Sequence, residues 1–401
     1  MSSTAAPAPV PPATRNRFEV VFMSIYDVGR SVDIERTRAL IPAIPDRREI
    51  TSRDTPASLS VPAPLQLEVA RLKFQDDHPL DDIRLTAKIY EDGVISMLAR
   101  ATVRIELEGI HLIRGMEFPA PAAGGGDAGR AQSGGAEEHT TTVGAWAHDH
   151  FLHIFEQIRD AVTQGEYRAE AAQRESYAAF CLLDEIPDID GFIEQHAQYL
   201  STFLLGENPA IRLHPSQVAT TLGHRFSFKQ NDLMILDLDR CFIIDPDQDY
   251  EDILLILELA NYQLVELRSL DRLLDRWLDQ AEDDIRSVYF RRSHRLRALS
   301  RKLGGLIPLR LDALFILENL ENTSKIIGDY YLGQVYEHLC SLMGTGTWER
   351  SVRRRLEALQ EIYSMAKVDV NERLLLIMEI LVVLLIGFEI VALLFPLLPH
   401  G

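Results

Sequence analysis

The sequence predicts an α+β fold: a β-containing N-terminal domain, then long antiparallel helices forming a coiled-coil-like stalk, then a C-terminal transmembrane helix. Three observations carry this reading. Residues 16–120 alternate polar and apolar side chains with the two-residue period of strands. Across 253–285 apolar residues step by four and three without a break. Across 374–395 seventeen residues are Leu, Ile, Val or Phe.

The first fifteen residues carry Pro7, Pro9, Pro11 and Pro12 among Ala, Ser and Thr, with no positive charge before Arg15. They read as a disordered tail and not as a signal peptide. An α+β domain facing the cytoplasm is expected over 16–245. Within it, Phe18 to Phe22, Leu65 to Val69 and Arg84 to Ile89 alternate as strands do. Ile89-Tyr90-Glu91-Asp92-Gly93-Val94-Ile95 reads as strand, tight Asp-Gly turn, strand, because a primed hairpin turn needs positive φ. The Gly-rich stretch 120–142 cannot supply a core and is expected to be a flexible insertion. Helical periodicity returns over 147–162 and 189–205. Phe226-Ser227-Phe228 and the run 233–244 suggest two more strands around a polar turn, ended by Asp245-Pro246.

The stalk is expected over 249–373. Its first helix carries Ile253, Leu257, Ala260, Leu264, Leu267, Asp271, Leu274, Leu278, Ala281 and Ile285 in one seam, of which only Asp271 is charged. A single charge in such a seam can fix register by pairing with Arg268 or with an arginine of a facing helix; the bland alternative is a solvated side chain that splays the helices. Gly304, Gly305 and Pro308 mark a turn, a second helix follows over 311–343, and Gly344 and Gly346 close it. A third helix carries Val352, Leu356, Leu359, Tyr363, Ala366 and Val370 in the same register and runs on into the terminal apolar segment.

At about 1.5 Å per residue, 374–395 is long enough to cross a hydrocarbon core of roughly 30 Å. Its apolar residues outweigh Glu379 and Glu389, the two intramembrane polar positions. Arg350, Arg353, Arg354, Arg355, Lys367 and Arg373 precede it, which would leave the bulk of the chain in the cytoplasm, at the inner membrane if the source is bacterial.

The net charge of −19 argues against a nucleic-acid partner for the whole surface. One local exception is the acid-free stretch carrying Arg286, Arg291, Arg292, Arg295, Arg297, Arg301 and Lys302, with Tyr289 and Phe290 interleaved. It suits anionic lipid headgroups, RNA or an intramolecular acidic face such as Asp279, Glu282, Asp283 and Asp284. Cys181, Cys241 and Cys340 are odd in number and widely spaced, so neither a disulfide framework nor a zinc site is suggested. His148, His150 and His153, near Asp149 and Glu156, form the densest set of metal-ligand types, but without the i, i+4 spacing a helical site uses. No phosphate-loop, dinucleotide, zinc-protease or nucleophile-elbow motif occurs. No cofactor, metal or catalytic residue is therefore expected.

Three segments resemble a known family, that of the protein required for meiotic nuclear division 1 with its yeast, mitochondrial and bacterial relatives. They are Tyr90-Glu91-Asp92-Gly93-Val94-Ile95; Leu257-Glu258-Leu259-Ala260-Asn261 followed by Leu264, Glu266, Leu267, Arg268 and Asp271; and Glu372-Arg373 with the apolar run bearing Glu379 and Glu389. The resemblance covers about 80–395 and implies a membrane-associated, oligomeric protein. Eukaryotic relatives support translation at mitochondrial membranes, and no catalytic residues are established for the family.

The expected function is a membrane-anchored, oligomeric, non-catalytic scaffold that associates with copies of itself or another helical protein. Its register residues would be Asp271, Leu257, Leu264, Leu267, Leu274 and Leu278. The rivals are an enzyme acting on a nucleotide, RNA or lipid through a pocket in 16–245, and a membrane-tethered RNA-binding protein using the basic stretch.

Overall fold

The computed structural model describes residues 15–29, 31–41, 64–75, 78–121, 139–163, 174–290 and 329–394, with a few positions between 311 and 318. The expected disordered tail, nearly all of the Gly-rich insertion and the side chains of the basic stretch 286–302 lie outside the described residues.

By contact the chain divides into two units, residues 1–269 with 320–346, and residues 270–319 with 347–401. The first is built on an eight-stranded sheet. In chain order its elements are β1 (Asn16–Asp27), β2 (Ser31–Val32), α1 (Ile34–Leu40), β3 (Leu65–Lys73), β4 (Leu80–Ile89), β5 (Val94–Ile105), β6 (Glu117–Ala120), β7 (His139–Thr142), α2 (Val143–Ile158), β8 (Val162–Thr163), β9 (Arg174–Leu182), α3 (Ile189–Gln195), α4 (Ala197–Leu204), α5 (Pro215–Gly223), β10 (Arg225–Phe226), β11 (Leu233–Leu236) and β12 (Arg240–Ile244). Then come the long helix α6 (Glu251–Phe290), α7 (Tyr330–Met343) and α8 (Thr345–Leu394).

The strand order is β10-β11-β12-β9-β1-β5-β4-β3. Every neighbouring pair is antiparallel except β12 with β9. A parallel pair needs a long crossover, and the chain between β9 and β12 supplies one that carries α3, α4 and α5. Central β9 has no counterpart in the alternation read above. Its run Ala178-Ala179-Phe180-Cys181-Leu182 is buried on both faces, so it shows no period of two.

Around β4 and β5 the expected hairpin has a different turn. Tyr90 N–H donates to Val94 O and Gly93 N–H to Tyr90 O, so four residues connect the strands, and Gly93 alone takes a positive φ, of 90°. The ends of the Gly-rich segment are tied by β6 and β7, which pair Glu117 with Thr142 through Ala120 with His139. The expected helix over 189–205 is broken at His196 into α3 and α4.

The sheet is covered on both faces because β1 alternates. Phe18, Val20 and Tyr26 join the larger core with Trp146, Phe151 and Ile154 of α2 and Phe203 of α4. Tyr26 stacks on Phe151 with centroids 3.6 Å apart, and Phe180 meets Phe203 edge-on at 4.7 Å. On the other face Ile25, Tyr90 and Val94 pack against Val265 of α6.

Helix α6 is not the single-stripe seam the spacing suggests. Leu257, Ala260, Leu264 and Leu267 are buried, but so are Ile256, Leu259 and Val265, together with Glu258, Asn261, Gln263 and Glu266. A helix enclosed on several faces loses the one-sided pattern that a coiled coil requires. Helix α7 is capped by Asp329, which accepts from Leu332 N–H, and ends at Gly344 in the left-handed conformation (φ 66°).

In the second unit the side chains of Leu274, Ala281, Val352, Leu359 and Tyr363 are buried. Ser351 bonds Asp271 and Arg355 bonds Asp275, two pairs with the same separation of 80 residues, so α6 and α8 run parallel there.

The expected C-terminal transmembrane helix is corrected. Among the described residues no helix is long and apolar enough to cross a membrane. The expected span holds Glu379 and Glu389, both exposed. A tail-anchored, single-pass arrangement with a cytoplasmic bulk falls with it.

Candidate functional site

Polar side chains concentrate where the start of α6 meets the sheet. Glu251, Glu258, Tyr262, Glu266 and Ser269 recur at intervals of seven, four, four and three, which places them on one side of a 3.6-residue helix. All but Glu266 find a bonded partner on a different strand or turn. Arg100 of β5 grips Glu251 with two guanidinium nitrogens at 2.5 and 2.6 Å. Tyr250, just before the helix, donates to Glu19 of β1 at 2.6 Å. Lys88 of β4 lies 2.5 Å from Glu258, and Tyr90 donates to the other oxygen of the same carboxylate at 3.1 Å. Arg268 bonds Glu175 of β9 at 2.6 Å.

Between these ion pairs lies a group of a different kind. Tyr262 donates its hydroxyl to Asp92 in the β4–β5 turn. Its ring packs against that of Tyr90, with centroids 5.3 Å apart. Glu266, one turn on, is buried within electrostatic reach of Asp92 and Asp27. Asp27, the last residue of β1, accepts from Gly29 N–H at 3.2 Å and from the Ser269 hydroxyl.

Burial dominates the electrostatics. It pushes Asp27 up to about 7 and raises Asp92 and Glu266 above the usual carboxylate range, the last also under the influence of Asp92 and Asp27. Tyr90 and Tyr262 are raised by the same burial and by the carboxylates they touch, which keeps both phenols protonated and able to donate. The arrangement can therefore hold and release a carboxyl proton near neutrality. Asp27, Asp92 and Glu266 are 6 % exposed, half-buried and 7 % exposed respectively, so the group works as an internal fastening and not as an open cleft.

A shallow cleft of about 160 Å³ lies elsewhere in this unit, lined by Lys229, Asp245, Asp249, Asp252 and Tyr331 among others. Its carboxylates are engaged locally: Asp245 accepts from the backbone of Asp247 and Asp249, and Lys229 pairs with Asp249 at 3.0 Å.

The residues singled out from sequence are placed as follows. Asp271 accepts from Ser351 at 2.9 Å and lies 3.1 Å from Arg355, while Arg268 is turned to Glu175 instead. Leu257, Leu264 and Leu267 are buried with the first unit's part of α6, and Leu274 with the second's. Leu278 is half-buried. The α2 histidines go to separate places: His148 meets the Tyr26 hydroxyl at 3.1 Å, His150 sits edge-on to Trp146 at 5.1 Å and His153 bonds Gln157 at 2.9 Å. Asp27, Lys88, Tyr262 and Ser269 were not among the expected site residues. The in-phase polar stripe on α6 was the available signal; its partners on the strands carry no local mark.

A family described as the N-terminal domain of uncharacterized protein MJ0711 matches residues 17–251, which is the sheet and the connection into α6. Uncharacterized protein MJ0711 of Methanocaldococcus jannaschii is 27% identical over 224 residues, a match that covers 54% of this chain and 65% of that relative. The chain thus spans less than two thirds of the relative it matches. No solved structure matches.

Proposed function

We propose a scaffold function for this chain, which belongs to the family defined by the N-terminal domain of uncharacterized protein MJ0711. In this reading the sheet unit carries α6, and the distal part of α8 joins copies of the chain to one another. One observation carries it: fourteen large apolar side chains in 375–391 are each more than half exposed, from Leu375 at 66% to Val391 at 58%.

Covering half of one such side chain is worth about 1 kcal/mol, so the stretch leaves on the order of 10 kcal/mol of burial unrealised. Monomeric proteins rarely leave contiguous apolar surface of that extent. Because apolar residues occupy every side of this helix, one groove would cover only a stripe of it. A bundle of identical helices encloses all sides, and α8 is continuous with the half whose Val352, Leu359 and Tyr363 are already buried, so the packing of one half can extend into the other. A finer kinship with the family of the protein required for meiotic nuclear division 1, resting on the segments around Tyr90, Leu257 and Glu372, fits the same oligomeric reading.

Sedimentation equilibrium of the full chain tests this. A discrete oligomer of three or more copies is expected, falling to monomer in the Leu381→Lys, Leu385→Lys double variant. A monomeric wild-type chain, or one that sediments with phosphatidylcholine vesicles instead of self-associating, would overturn it.

A further inference from the structure

We infer that copies of the chain meet along one stripe of α8, formed by Ile377, Leu381, Leu384 and Phe388, with the helices parallel and in register about a common axis and Glu379 at the rim. This rests on the scaffold reading above, to which it adds the face and the direction of the contact.

The packed half of α8 fixes the face. Val352, Leu359 and Tyr363 are 0%, 1% and 1% exposed, and their positions fall within about 40° of one another around a helix of 3.6 residues per turn. Arg354, Glu357 and Glu361, on the opposite side, are exposed. Helix α8 runs unbroken over Thr345–Leu394, and about eighteen residues make five full turns. Ile377 therefore repeats the position of Leu359, Leu381 that of Tyr363 and, after twice that length, Phe388 that of Val352. Leu384 falls between them. By the same repeat Glu379 takes the position of Glu361, half a turn from the stripe.

One face thus passes from covered to open along the helix. Ser351 bonds Asp271 and Arg355 bonds Asp275, so α6 and α8 run side by side with a constant separation of 80 residues, and Phe290 at the described end of α6 is level with residue 370 of α8. Beyond that level Ile377, Leu381, Leu384 and Phe388 are 55%, 56%, 64% and 73% exposed. A second copy suits this surface by its charge pattern. In a symmetric assembly every residue near the axis meets its own counterpart, so a charge there would face the same charge. The stripe carries none. Glu379 lies opposite it and Glu389 more than a quarter turn away, both exposed, so the carboxylates can keep their water at the rim. A partner of another sequence could have matched them with cations on any side; contact with an identical helix requires them off the axis.

Direction follows from closure. Three or more copies related by rotation about one axis all run the same way, because the rotation leaves the axial direction unchanged. Equal residues then share a level, Ile377 beside Ile377 and Phe388 beside Phe388.

Crosslinking of the full chain with copper–phenanthroline as oxidant reads the face, with the wild-type chain as baseline. Ile377→Cys, Leu384→Cys and Phe388→Cys should each form disulfide-linked dimers at least about fivefold more efficiently than Glu379→Cys, because a disulfide needs Cα atoms within about 7 Å. Sedimentation equilibrium gives a second arm, in which Leu384→Lys should be monomeric and Glu379→Lys should keep the wild-type oligomer. Should a cysteine variant misfold, the two lysine variants decide alone. A wild-type oligomer whose Glu379→Cys and Leu384→Cys variants crosslink equally overturns the inference and leaves the scaffold reading standing. The same holds if Leu384→Cys crosslinks while Ile377→Cys and Phe388→Cys do not, the mark of antiparallel helices, or if Leu384→Lys stays oligomeric. A monomeric wild-type chain removes both.

Discussion

Lys88 of β4 and Glu258 of α6 are 170 residues apart in sequence and 2.5 Å apart in space, with the glutamate side chain 1% exposed and the lysine 17%. A carboxylate so deeply enclosed is tolerated only because the ammonium and the Tyr90 hydroxyl together replace its water.

Removing the lysine alone should therefore cost more than removing the pair. Lys88→Met is expected to destabilise the first unit by about 3 kcal/mol, whereas Lys88→Met with Glu258→Leu should recover most of that loss. Chemical denaturation of the four corners of the double-mutant cycle measures the coupling. Equal losses in the single and double variants would contradict the account.

In the second unit Asp271 organises a smaller polar contact. Asp271→Leu strips the acceptor from Ser351 and a partner from Arg355, and should lower stability by about 1 to 2 kcal/mol. Arg355→Met should have a smaller effect, since Ser351 keeps its bond. A thermal melt of each variant decides between this ordering and its reverse.

Burial first and neighbouring His153 second push His150 down to about 4. Because the folded value lies below the ordinary 6.5, the contribution of neutral His150 is present above about 6.5 and is lost as pH falls through 4, opposite in direction to that of Asp27. In an NMR titration the His150 imidazole should not move between pH 8 and 5.5. A midpoint near 6 would show that its site against Trp146 is wetter than described.

Much of the sheet was legible because its strands are covered unequally. Arg84 to Ile89 alternates in β4, and Phe18 to Phe22 in β1, since one side chain in two meets a different environment. Where both sides are equally apolar the pattern vanishes, as in β9, and where a helix is enclosed all round, as along α6, the four-three steps overstate a single seam. The partners of the polar positions on α6 were not legible, because Glu258, Tyr262 and Glu266 say nothing alone about what faces them. Similarly, the apolar richness of 374–395 suggested a span that the described helix does not supply.

By itself, then, the sequence determined the strand-forming stretches and the position of the β4–β5 turn at Gly93, because these follow from local periodicity and backbone preference. Only the tertiary structure decided that β9 lies at the centre of the sheet, that Arg268 serves Glu175, and that Asp92 meets Tyr262 with Asp27 and Glu266 close by. Those residues come from segments as much as 239 positions apart. Burial, which sets the protonation of a carboxylate, belongs to the folded surroundings and leaves no local trace in the chain.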